Sequence, residues 1–487
     1  MAIGWTLHGD GKTLAPGEVV APGERLGWGR TVGLGAQHVV AMFGATFVFP
    51  LIMGLNPQLA IMMSGIATIA FLLIVKGRVP SYLGTSASFV GGVGAIYAQE
   101  GTPQEVTGAI LVAGVVLALV GVVIHVAGAR VIYAVLPPVV TGAVVMLIGF
   151  NLAPVVATVY WPQDQWVALT VMLVVILMSV GLRGFAGRIS IFLGLAFGYL
   201  LSVVLDLLTG PITAPDGTGE VSTHDRVSWD GVRDAAWVGF PPQTDSAAGV
   251  VGWHLPEFRW VFVLLVLPAV IALVAENAGH VKAVAEMSGD DLDPVMGRAI
   301  AADGVGTVIA SAVGGSPTTT YAENIGVMAA TRVYSTAAYV VAAGVAILFG
   351  LSPKFGAVIQ ATPGGVLGGI TVVLYGMIGL LGAKIWKEND VDFGNPVNLV
   401  PVAAGIIIAI GNTSLTVTDN FSLAGIALGT IVTVGAYHLA RAVAPRHLVD
   451  AASSPSLVVG EPGMYRQPTD GAGAGDRADG PRRGTGD

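Results

Sequence analysis

The sequence predicts an all-α polytopic membrane protein of about fourteen transmembrane segments, two sets of seven with the second inverted relative to the first. Three observations carry this reading. Only 11% of the residues are charged and the mean hydropathy is +0.75, whereas a soluble chain carries roughly 25% charged residues. Stretches such as 261–274 and 404–410 hold no charge at all. Two span-like segments, 80–98 and 314–333, are broken by Pro, Gly, Ser and Thr, and each is the third in its half. Backbone that leaves the helix at membrane depth survives only where it lines a cavity or is buried in protein. Paired interruptions at matching positions therefore point to the substrate site of an inverted-repeat transporter.

A span needs about 20 largely apolar residues. After a polar, Gly/Pro-containing opening at 1–30, the first repeat (31–208) holds segments at 31–53, 58–75, 80–98, 104–126, 131–151, 166–181 and 187–208. An acidic loop follows at 209–258, with Asp216, Glu220, Asp225, Asp230, Asp234 and Asp245. The second repeat (259–440) holds segments at 259–281, 296–313, 318–332, 335–351, 364–383, 396–411 and 420–440. From about Asp450 the tail (441–487) is rich in Gly, Asp and Arg, lacks apolar residues for a core and is expected to be disordered.

Positive charge orients the chain. With a cytoplasmic N-terminus, the inner loops hold Lys76, Arg78, Arg130, Arg183, Arg188, Lys282, Arg298, Arg332, Lys384 and Lys387. The outer loops hold only Arg226, Arg233, Lys354 and the boundary residue Arg259. The asymmetry predicts both termini on the cytoplasmic side of the plasma membrane and an even number of spans.

Several functions are disfavoured. The chain has no Cys, which removes disulfides, thiol catalysis and Cys metal sites. A formal net charge of −8 argues against nucleic acid as a partner. The opening has no charged-then-apolar export signal, so the first span is expected to stay in the mature protein. Gly91-Gly92-x-Gly94 lacks the Lys-Ser/Thr of a phosphate loop and lies within a span. No spacing suggests a metal site, and neither a cofactor nor catalysis is expected.

The two broken segments each read as a short extended piece leading into a half-helix. Tyr82-Leu83-Gly84-Thr85-Ser86 precedes Ala87-Ser88-Phe89, and Thr318-Thr319-Thr320-Tyr321 precedes Ala322-Glu323-Asn324. The β-branched Thr run favours extended backbone. Half-helix N-termini expose unpaired N–H groups and a partial positive charge, which suit carbonyl oxygens on a substrate.

Glu276 lies within the eighth segment, where an acidic side chain costs roughly 2.5–3.5 kcal/mol on insertion scales. His280 is one turn on, on the same face, and Asn277 and Gly279 make that face polar and narrow. The pair is read as functional; a structural tie between helices is the alternative. Glu323 opens the second half-helix, either as a cap or as a ligand-binding carboxylate. Asp303, in the ninth segment, either braces the broken helix or sits at the membrane edge. Gln37 and His38 read as an interhelical polar contact. Tyr321, Phe89 and Tyr82 could stack on a flat ring or merely pack. Two carboxylates from different helices make a site for a ligand with N–H donors, and the spans offer no cationic cluster for an anion.

Gln37-His38, Pro80-x-Tyr82-Leu83-Gly84-x-Ser86, Glu276-Asn277-Ala278-Gly279-His280 and Glu323-Asn324-x-Gly326-x-x-x-x-Thr331-Arg332 resemble motifs of the nucleobase–ascorbate transporters, or nucleobase:cation symporter-2 family. The resemblance covers about residues 30–440. Within the family, the runs around Glu276 and Glu323 are most similar to bacterial uracil permeases and to the pyrimidine permeases of the pyrimidine-utilisation (Rut) pathway. The resemblance implies fourteen helices in a seven-plus-seven inverted repeat, with a core domain of segments 1–4 and 8–11 and a gate domain of segments 5–7 and 12–14. It implies short strands in segments 3 and 10, a homodimer, and an elevator-like movement of the core. Glu276 and Glu323 would bind the base, His280 would hydrogen-bond the first Glu, and backbone groups near Ala87 and Ala322 would complete the site. Asp303, Asn324, Gln37 and His38 would support the site and its proton coupling. Some uracil permeases carry Phe where this chain has Ala87, so an aromatic contact is lost or is supplied by Phe89 or Tyr321.

The resulting expectation is a proton-coupled symporter importing uracil-type pyrimidine bases, its partners being the base, the proton and the lipid bilayer. A xanthine or uric acid symporter of the same fold is the alternative. A membrane-embedded enzyme would need a nucleophile or metal constellation. An anion transporter of similar architecture should lack the paired carboxylates.

Overall fold

The structure is a computed structural model and describes residues 4–15, 18–128, 134–183, 186–187, 189–216, 219–241, 252–418 and 421–452. Arg130, Arg188, Asp245, the start of the fifth segment (131–133) and the tail beyond residue 452 lie outside the described residues.

Helices occur in all fourteen predicted regions. The first half comprises α1 (Trp28–Ile52), α2 (Pro57–Ile74), α3 (Val90–Tyr97), α4 (Pro103–Ala127), α5 (Pro138–Asn151), α6 (Gln165–Gly181) and α7 (Ser190–Thr209). The second comprises α8 (Trp260–Ser288), α9 (Asp293–Ser311), α10 (Ala322–Thr331), α11 (Thr336–Gly350), α12 (Gly364–Glu388), α13 (Pro396–Ile410) and α14 (Gly425–Val443). Among the described residues, eight helices are long and apolar enough to cross a membrane, or nine with α11 and the following helix Pro353–Gln360, bent by 82°, taken as one span. α3 and α10 fall short because their segments begin as strands. α8 and α12 instead outrun the predicted segments, to Ser288 and Glu388, because hydropathy marks only the apolar part of a helix that continues into polar turns.

Helix starts follow local chemistry. The Asn56 side chain accepts from Leu59 N ahead of Pro57, and Thr102 and Glu105 form a reciprocal capping box around Pro103. Asp164 caps α6 through Val167 N, and Asn395 caps α13 through Val397 N. α10 ends at Arg332, whose φ of +57° is left-handed. Such a conformation in a non-Gly residue needs support. The N-terminal segment supplies some: Val20 N donates to Arg332 O, and Tyr334 N donates to Val20 O. The opening is thus a folded cap on the α10–α11 turn, with Thr6–Leu7 paired to Glu24–Arg25. The loop between α7 and α8 also has structure: a hairpin of Ile212–Pro215 with Val221–His224, and the short helix Asp230–Asp234. Past α14, Arg446–Ala452 is helical, so order continues beyond the predicted start of the tail.

The helices pack in two sets. In the first, α4 lies along α9 and α11 along α2, while α8 packs on α4 and α1 on α11. In the second, α5 lies along α12, α6 packs on α12 and α13 on α5, and α7 packs on α6 and α14 on α13. Small residues allow the closest approaches. A Cβ on Gly121 of α4 would lie 2.6 Å from Ala301 Cα of α9, and one on Gly149 of α5 would lie 2.5 Å from Tyr375 O of α12. Only glycine fits at either crossing without pushing the helices apart.

Candidate functional site

The broken segments meet each other. Strand β1 (Leu83–Thr85) pairs antiparallel with β2 (Thr318–Thr320) in the register Leu83↔Thr320, Gly84↔Thr319 and Thr85↔Thr318. Ser86 N donates to Pro317 O and Tyr321 N to Tyr82 O, extending the ladder at each end. Each strand satisfies backbone groups of the other that membrane depth would leave without water. A turn at Ala87–Phe89 joins β1 to α3, with Ser86 Oγ accepting from Ser88 N. β2 runs into α10, whose start at Tyr321 has no side-chain cap. The Glu323 carboxylate accepts from its own backbone N–H within this first turn.

Tyr321 locks the crossing. Its hydroxyl donates to Thr85 O at 2.8 Å and accepts from Thr46 Oγ1 of α1 at 3.3 Å. Its ring lies so close over Gly84 that a Cβ there would meet the ring at 2.5 Å.

A cavity of about 350 Å³ opens beside this crossing, between the two helix sets. From the first set it is lined by Thr85, Ala87 and Ser88, by Glu276 and His280 of α8, and by Thr319 through Glu323. From α1 come Ala45 and Phe49. The second set contributes an apolar wall of Val145 and Ile148 from α5 and Leu374, Ile378 and Leu381 from α12. The lining continues along α12 to Lys384 and Glu388, which form an ion pair at 3.5 Å. The mouth therefore lies toward the C-terminal end of α12, some ~21 Å along the helix from Leu374.

Behind the cavity runs a directed hydrogen-bond chain. Asn277 Nδ2 donates to Leu273 O at 2.9 Å and to Asp303 Oδ2 at 2.8 Å, which leaves its Oδ1 to accept from Thr320 Oγ1 at 2.7 Å. Thr320 has then used its proton, so its oxygen accepts from His280 Nδ1, 2.7 Å away. The tautomer follows: Nδ1 carries hydrogen, and Nε2 of the neutral ring is an acceptor.

Of the residues singled out in the sequence, Glu276, His280, Glu323, Ala87, Ala322 and Tyr321 line the cavity. The others do not. Phe89 is fully buried in the apolar core, so the aromatic residues on the cavity are Tyr321 and Phe49. Asn324 faces away and donates to His38 O at 3.0 Å and to His38 Nδ1 at 3.2 Å, while the His38 ring packs 4.4 Å from Tyr339. The pair ties α10 to α1 and α11. Asp303 is fully buried and accepts from Asn277 of α8, so it reaches the broken segment only through Asn277 and Thr320. Gln37 is half-buried outside the cavity, and Tyr82 is buried with its hydroxyl 3.0 Å from Ser64 Oγ. The His280 hydrogen bond is to Thr320, not to Glu276 as the resemblance implied. Thr320 was visible in the sequence only as part of a β-branched run. Phe49 and the α5–α12 wall carried no signal, since apolar residues are unmarked among apolar helices.

Two carboxylates and the start of a half-helix around a cavity between two packed helix sets suit a membrane permease. The chain belongs to the permease family whose model matches residues 29–418. It is 43% identical over 439 residues to the pyrimidine permease RutG of Escherichia coli K12, spanning 89% of this chain and 93% of that one. It is 35% identical to the uracil permease of Bacillus caldolyticus, spanning 83% of this chain and 90% of that one. Similar solved folds include the transmembrane domain of the cyanobacterial bicarbonate transporter BicA (TM-score 0.55, 13% identity, 84% of this chain and 96% of that one). Murine Slc26a9, an anion transporter in the inward-facing state, is likewise similar (TM-score 0.58, 12% identity, 84% and 67%). These two likenesses show a shared transporter fold.

Proposed function

We propose that this permease imports uracil-type pyrimidine bases across the plasma membrane together with protons. The observation that carries the reading is the convergence of Glu276, Glu323 and the start of α10 on one cavity. A pyrimidine dione is planar and neutral and presents N–H flanked by carbonyls. Carboxylate oxygens accept its N–H hydrogens, backbone N–H groups donate to its carbonyls, and the apolar wall covers its face. The names of the relatives, pyrimidine permease and uracil permease, agree with this chemistry. The acidic lining disfavours the anions carried by the fold neighbours.

The contact pattern supports an inverted repeat of seven plus seven. Pairing α1 with α8, α2 with α9 and so on to α7 with α14 maps α4–α9 onto α11–α2, α8–α4 onto α1–α11, and α6–α12 onto α13–α5. The first helix set is then a moving core and the second a gate, the even span count puts both termini in the cytoplasm, and the protein works as a homodimer. With 384–392 cytoplasmic, the cavity mouth faces inward. Glu276 and His280, joined through Asn277 and Thr320 to Asp303, form the proton-coupling group.

Competition of labelled uracil uptake by unlabelled thymine, xanthine and hypoxanthine tests the substrate class. Thymine should compete best. Stronger competition by xanthine would reassign the protein to purine transport.

A further inference from the structure

At the end of the molecule opposite the cavity mouth, the α7–α8 loop is fastened to both helix sets. Arg226 is the first anchor. Its Nε donates to Asp164 Oδ2 at 2.8 Å and its Nη1 to Asp206 Oδ1 at 3.1 Å, with a further bond to Gly210 O at 3.2 Å. Arg226 N and Val227 N also donate to Asp206, to Oδ1 at 3.1 Å and Oδ2 at 3.0 Å. Asp164 starts α6 and Asp206 ends α7, so this anchor belongs to the second set.

The other anchor follows within a few residues. Lys354 Nζ donates to Val232 O at 2.7 Å and to Arg233 O at 3.1 Å, Lys354 N donates to Ala236 O at 2.8 Å, and Gly239 N donates to Leu351 O at 2.9 Å. Lys354 belongs to the helix Pro353–Gln360, which packs on α2 and α11 of the first set. Gln58 Nε2 of α2 adds a bond to Gly350 O at 2.8 Å. Since Asp230–Asp234 is itself helical, only residues 228–229 remain as slack between the anchors.

We propose that residues 226–239 are a releasable strap joining the two sets on the outer side, and that the strap must leave the Pro353–Gln360 helix before the cavity can change sides. The proposal rests on the movement of core against gate inferred above. Two residues span at most about 7 Å even when fully extended, so a displacement larger than this cannot be followed with both anchors closed. One anchor must open. The Arg226 anchor is a double ion pair with its three side chains 9–15% exposed. The Lys354 anchor holds carbonyl oxygens, which water can satisfy on release. The second is the one that opens.

The chain has no Cys, so a disulfide can be placed cleanly. A Cβ on Gly239 would lie 3.3 Å from Pro353 Cγ, so the two positions face each other across the anchor. In the Gly239→Cys, Pro353→Cys double variant, oxidation should cut uracil uptake at least ~10-fold and reduction should restore it, with each single variant active. A fully formed disulfide, verified on non-reducing gels, that leaves uptake unchanged overturns the strap. As a second measurement, a Cys at Ala283, on the cavity lining, is labelled in inside-out vesicles. Saturating uracil should change its labelling rate, and the oxidised disulfide should abolish that response. No response to uracil in the parent background overturns the core movement itself, whereas a response that survives the disulfide overturns the strap alone.

Discussion

Replacing Glu323 by Gln removes one charge and keeps the size of the side chain. α10 is held by contacts that do not involve this residue: Asn324 to His38, Tyr321 to Thr85 and Thr46, the β1–β2 ladder, and Val20 at Arg332. The half-helix should therefore keep its place, and the loss should fall on the ligand. An ionised carboxylate presents only acceptors, whereas an amide also presents donors, which oppose a substrate N–H. A hydrogen bond to a charged group contributes roughly 1.5–3 kcal/mol, equivalent to about 10- to 150-fold in affinity. Glu323→Gln should lower kcat/KM for labelled uracil uptake by at least ~10-fold, or about 1.4 kcal/mol. The assay needs initial rates at low uracil, normalised to the variant present at the membrane. Parental uptake at normal abundance would refute the reasoning: Glu323 would then be a helix cap, and the site would have to lie elsewhere.

Uptake should require an inward proton gradient, and Glu276→Gln should uncouple or abolish it; uptake driven by sodium alone would transfer the coupling to another ion. Tyr321→Phe leaves Thr85 O without its donor from the ring, and losing hydrogen bonds that contribute about 0.5–1.5 kcal/mol each should lower the melting temperature more than it raises KM. Gly121→Val forces side-chain atoms against the Ala301 backbone, and overpacking of roughly 1–3 kcal/mol should reduce the amount of folded protein, measured by fluorescence-detected gel filtration. A Cys at Gly187 should react with an impermeant reagent in inside-out vesicles and not in intact cells; the reverse would invert the proposed orientation.

Much of the site was legible because the membrane makes it conspicuous. A carboxylate among apolar residues has to be functional or paired, and Glu276 and Glu323 stood out on that ground. The broken segments stood out because a Pro- or Gly-interrupted span needs a cavity or protein around it. His38 and Asn324 bond to each other across α1 and α10, the interhelical contact expected of His38, and neither lines the cavity. A polar side chain in a span must find a partner, but composition does not say whether that partner is protein or ligand.

Hydropathy, the two interruptions and the two carboxylates were enough, by themselves, to indicate a polytopic helical protein and to single out the third and tenth segments as its candidate site. Tertiary structure alone decided which residues face that site. Leu83 pairs with Thr320 across more than two hundred residues of chain, and nothing local to either strand specifies the other. The Asp303–Asn277–Thr320–His280 chain draws on two helices and a strand, so its direction, and with it the His280 tautomer, emerges only when they are packed. Phe49 reaches the cavity and Phe89 does not, although both lie in apolar segments. In a membrane protein the apolar residue is at home against lipid, against the core and against a ligand alike, so its sequence neighbourhood carries no record of which surface it meets.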